Sequence, residues 1–73
     1  MKITKYFVSF NKHQDQISIA VSEAEKFKND FIDAIIETID EIDNEEISFV
    51  VTGPQNSFVS AVIKLSYYPK KNE

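Results

Sequence analysis

Only one stretch of this chain repeats its apolar residues at the period of a helix, and that limits the folds open to it. Ala24, Phe27, Phe31, Ile35, Thr38 and Ile42 recur at steps of three and four, the spacing that lines up one helix face. Elsewhere the pattern alternates or is dense in β-branched and aromatic residues. Residues 3–10 are of the second kind, and residues 16–21 put Ile17, Ile19 and Val21 on one side. Ile47, Phe49 and Val51 alternate over residues 46–52, as do Val59, Ala61, Ile63, Leu65 and Tyr67 over residues 58–68. Each of these four segments reads as a strand.

The order is therefore ββαββ, two hairpins joined by one helix. It predicts an α+β domain: a four-stranded, mainly antiparallel sheet with the helix packed on one face. Punctuation agrees with this order. Residues 11–15 form a polar turn, and Ser22-Glu23-Ala24-Glu25 matches a capping box at a helix start. Asn44 can take the left-handed conformation that ends helices. Gly53-Pro54 breaks the third strand and Pro69 the fourth, so residues 69–73 are expected to fray.

At 73 residues the chain is one domain, and a chain of this size buries only about 60% of its unfolded surface. Small domains offset that with disulfides, metals or self-association. There is no Cys and a single His, His13, so the first two routes are closed and a homodimer is the expectation. No run of about 18 apolar residues occurs, so neither a membrane span nor a leader is expected, and the setting read from the sequence is cytoplasmic.

Charge is segregated. Residues 14–47 hold eleven acids against Lys26 and Lys28, whereas both chain ends are rich in Lys. On a helix running to about residue 43, Asp30, Asp33, Glu37, Asp40 and Glu41 form the outer face. Carboxylates near a helix C-terminus each cost roughly 0.3–1 kcal/mol, and like charges one turn apart cost a few tenths more. Acids kept where they weaken the fold point to a partner with a basic surface; the plainer reading is a solvated face.

Two further surfaces stand out. The apolar arc of the helix is wider than one sheet hides, which leaves Ile32 and Ile36 for a self-association seam together with Phe58 and Val62 on the open sheet face. That face would also show Tyr68 and either Tyr6 with Val8 or Ile3 with Phe7. Lys5, Tyr6, Lys64 and Tyr68 combine stacking rings with cations in the manner of single-strand nucleic-acid binders. A net charge of −4 and the lack of Arg weigh against that use.

Catalytic signatures are missing. His13 and Asp15 sit in a turn without further convergent groups. Asp40, Asp43, Glu45 and Glu46 lack the ligand spacing and glycine of a calcium loop. The only Gly precedes a Pro rather than opening a phosphate-binding loop. No cofactor and no metal are expected. The sequence reads as a non-enzymatic interaction module, a small inhibitor or regulator that self-associates. A single-strand nucleic-acid binder and a ligand-free dimeric scaffold are the alternatives.

Overall fold

The computed structural model describes residues 1–70. Its elements are β1 (Ile3–Val8), β2 (Lys12–His13), α1 (Ile17–Ile35), β3 (Ile39–Thr52) and β4 (Phe58–Pro69). The fold is α+β, a four-stranded antiparallel sheet with one helix against it. β4 is the central strand. β3 pairs with β4 along its whole length on one side, and β1 and β2 pair with it in succession on the other.

Three placements differ from the sequence reading. β1 and β2 do not form a hairpin with each other; β2 is only Lys12–His13, and both strands add to β4. The segment 16–21 is not a strand but the first turns of α1. The helix ends at Ile35 rather than near Asp43, so the acids from Asp40 onward lie on β3. The Ser22–Glu25 motif is consequently interior to the helix. Glu23 instead accepts a hydrogen bond from the Phe10 backbone amide at 2.6 Å and pairs with Lys12 at 3.0 Å.

The early stop has a physical reason. Continuing the helix through Asp40, Glu41 and Asp43 would place those carboxylates at the negative end of its dipole. The chain instead makes a tight turn over Ile36–Thr38, in which the Thr38 hydroxyl donates to the Ile35 carbonyl at 2.8 Å. β-Branched Ile39 then enters the sheet. Pro69 lies within β4, and the Lys70 amide donates to Thr38 at 2.7 Å, so the expected fraying does not begin at 69. Residues 71–73 fall outside the described range.

Residues paired across an antiparallel ladder share a sheet face. Register therefore puts Val59, Ala61, Ile63, Leu65 and Tyr67 of β4 on the helix side, with Ile3, Lys5 and Phe7 of β1. Ala20 and Ala24 of α1, both fully buried, press on Ala61 and Ile63. Farther along, Phe31, Ile32 and Ile35 pack on Ile39, Leu65 and Tyr67. Phe7 joins the two clusters, its ring 5.3 Å from that of Phe31. Ile63 and Leu65 are the largest fully buried side chains, so the core is thin.

Candidate interaction surface

β3 departs most from an ordinary strand. Of Ile39–Thr52, only Ile39 is buried, and every later residue is exposed. The helix runs over β4 and β1 and leaves β3 uncovered. Register places Ile42, Ile47, Phe49 and Val51 opposite Tyr67, Ile63, Ala61 and Val59, on the helix side, yet each remains 45–54% exposed. Between helix and strand lies a groove of about 260 Å³ lined by Glu25, Glu45, Ile47 and Ile63.

Along its length β3 divides in two. The first half carries Asp40, Glu41, Asp43, Glu45 and Glu46. Its register slips twice against β4, leaving Asp40 and Asp43 as extra, bulged residues. Acids and bulges are both devices that keep an edge from pairing. The second half, Ile47 to Thr52, has neither; its ladder is regular and its side chains carry no charge.

The five predicted acidic residues do not share a helix face. Asp30 and Asp33 lie in the last turns of α1, Glu37 in the following turn, and Asp40 and Glu41 on β3. All five are exposed and follow one another along the chain from the end of α1 into β3. Several acids are matched internally: Asp30 with Lys26, Asp43 with Lys2 and Glu45 with Lys28. Among the described residues, no cation lies within 4.0 Å of Asp33, Glu37, Asp40 or Glu41.

The predicted apolar seam is not one patch. Ile32 is half-buried against the core, and Ile36 is 58% exposed beside the helix end. Phe58 and Val62 lie on the opposite sheet face, with Phe58 at the far end of β4.

The open face displays Tyr6 and Val8, not Ile3 and Phe7. Tyr6, 62% exposed, stands beside Lys64, and Tyr68 shares this face. Lys5 does not; its register with Leu65 puts it on the helix side. Glu46 stands beside Lys64 on its other flank, and Glu41 beside Tyr68. Two carboxylates therefore interrupt the surface that would have to meet phosphates.

His13 Nδ1 and Asp15 Oδ1 are 2.9 Å apart in an exposed turn. Among the described residues, no three His, Cys, Asp or Glu side chains converge to hold a metal, and no helix is long and apolar enough to cross a membrane. The sequence reading gave residues 46–52 as a strand but assigned residues 39–43 to the helix, and it did not place this strand at an edge. A signal was there: residues 47–58 contain no charged side chain.

Protein-family models, curated proteins and solved structures were compared with the chain, and none matches.

Proposed function

We propose that this protein is a non-enzymatic interaction module that self-associates and offers a carboxylate ledge to a partner protein with a basic surface. The observation that carries the reading is the exposed run Asp33, Glu37, Asp40, Glu41, none of which meets a cation among the described residues. Such a ledge attracts a cationic surface over a distance set by the ionic strength and accelerates encounter. Binding a basic groove in this way fits a small inhibitor or regulator.

Titrating the protein with oligolysine tests the reading. Binding should weaken steeply with added salt and be lost in the Asp33→Asn, Glu37→Gln, Asp40→Asn, Glu41→Gln variant. Equal binding by that variant rejects the ledge. Tyr6 beside Lys64 supports a second reading, single-strand nucleic-acid binding. A parallel titration with a single-stranded oligonucleotide separates the two: tight binding lost on Tyr6→Ala replaces the first reading with the second.

A further inference from the structure

The backbone of β3 has a direction that the side-chain pattern alone does not reveal. Ala61 of β4 turns its carbonyl toward the β1 side, accepting from the Ser9 amide at 2.9 Å, and its own amide donates to Ser9 Oγ at 2.8 Å. The Ser57 carbonyl likewise accepts from Gln14, whereas the Lys70 amide donates to Thr38, just before β3. Odd-numbered residues of β4 thus bond toward β1 and β2, and even-numbered ones toward β3. The even residues of β4 from Phe58 to Lys64 pair with Thr52, Val50, Ser48 and Glu46. By the same alternation, the amides and carbonyls of Ile47, Phe49 and Val51 point outward, away from the sheet.

We infer that two copies join edge to edge through these groups, antiparallel, with Phe49 of one copy opposite Phe49 of the other. In this register Ile47 stands opposite Val51 of the second copy, and each outward residue exchanges both its backbone bonds. The paired side chains are β-branched or aromatic and lie on one face, the most favourable kind of cross-strand neighbour. The inference rests on the proposed self-association and names its surface.

Charge distribution selects a second copy as the occupant. Each copy carries a net −4, so association is tolerated only where the acids stay apart. Residues 47–58 are free of charge, and the register centred on Phe49 pairs this neutral stretch with itself. Sliding the second copy by two residues places Glu45 opposite Val51 and Glu46 opposite Val50. Full overlap of the two strands would set Glu45 against Glu46. With the centre at Phe49 the acidic halves project in opposite directions, and the two Asp43 positions end roughly 40 Å apart at about 3.3 Å per residue.

The other sheet edge is blunted. It is broken between β1 and β2 and carries Lys2, Lys5 and Lys12, the residue type that most often guards an edge. The seam from Ile47 to Val51 is only about 17 Å long, less than a standard interface of roughly 800 Å² per partner requires. Association is therefore a concentration-dependent equilibrium.

Sedimentation of the full chain, with wild type compared against Val51→Pro, provides the test. The Val51 amide points outward, so proline there leaves the β3–β4 ladder intact and blocks the seam. The expected result is a wild-type monomer–dimer equilibrium and a folded Val51→Pro chain whose association is weakened at least tenfold. Ile47→Lys, which puts a cation on the same edge, should do the same and replaces it if the proline variant unfolds. Of the single-cysteine variants Ser48→Cys, Phe49→Cys and Val50→Cys, the second should oxidise fastest to a covalent dimer. A wild type that stays monomeric up to about 1 mM overturns the inference. So does a dimer unaffected by both edge variants, or open-ended polymers, which would signal β3 pairing with β1 of the next copy. Oligolysine binding by a wild type that never dimerises removes this inference alone; a dimer that ignores oligolysine removes the ledge alone.

Discussion

Lys28 on α1 and Glu45 on β3 hold their charged atoms 2.5 Å apart, with the Lys28 side chain only 14% exposed and Glu45 43%. Among the described residues, this is the ion pair that ties the helix to the outer strand. The exposed carboxylate lets solvent screen the pair, so its contribution is modest, about 0.5–1 kcal/mol. Losing Glu45 leaves a largely covered ammonium without its partner, a worse outcome than losing the charge of Lys28 itself. Glu45→Gln should therefore cost more than Lys28→Met in urea denaturation, and 1 M salt should narrow the gap between each variant and wild type.

Glu23 clamps the start of the chain to α1. The Phe10 amide and then the Lys12 ammonium hold its carboxyl below the usual glutamate range. A depressed folded pKa gives stability that is full above the unfolded value, about 4.3, and is lost as the pH falls through the lower folded value. Wild type should be more stable than Glu23→Gln at pH 7. The difference should shrink once the pH drops below about 4, as read from denaturant melts across the acid range. A gap that stays constant to pH 2 would exclude the clamp.

Gly53 joins β3 to the turn before β4 with φ +83°, a conformation L side chains rarely adopt. A Cβ at this position would also run into the Phe58 ring. Gly53→Ala should destabilise by about 1–3 kcal/mol, measured by thermal unfolding. Phe58→Ala in the same background removes the clash but not the strained φ, so it should recover only part of the loss.

The strand at residues 58–68 was legible because Val59, Ala61, Ile63, Leu65 and Tyr67 keep a period of two throughout, and Gly53-Pro54 marked the turn before it. The helix was recognised as a helix but begun six residues late and ended about eight residues late. Ala24, Phe27, Phe31 and Ile35 lie at steps of three and four inside both sets of bounds, so they face inward with either. The stripe therefore could not fix the ends. Ser22-Glu23-Ala24-Glu25 supplied a false start, while the true start, at Gln16, has no side-chain cap. The alternation of Ile17, Ile19 and Val21 is equally compatible with helix, where Ile17 and Ile19 stay about half exposed. Residues 46–52 read correctly as strand, but residues 39–43 of β3 had been assigned to the helix, which hid how far the strand runs.

The true helix end also decides what the acids do for stability. Asp33 lies in the last turn of α1, facing the negative end of the dipole. Asp40 and Glu41 lie on an exposed strand, where no such dipole acts. Asp33→Asn should therefore raise stability by about 0.3–1 kcal/mol. Asp40→Asn and Glu41→Gln should each stay within about 0.5 kcal/mol of wild type. Thermal melts of the three single variants at low ionic strength distinguish the cases. Equal gains from all three would place Asp40 and Glu41 on a longer helix, contrary to the β3 ladder. A gain confined to Asp33 leaves Asp40 and Glu41 energetically neutral in the isolated fold, so their contribution would have to be sought in what the ledge binds.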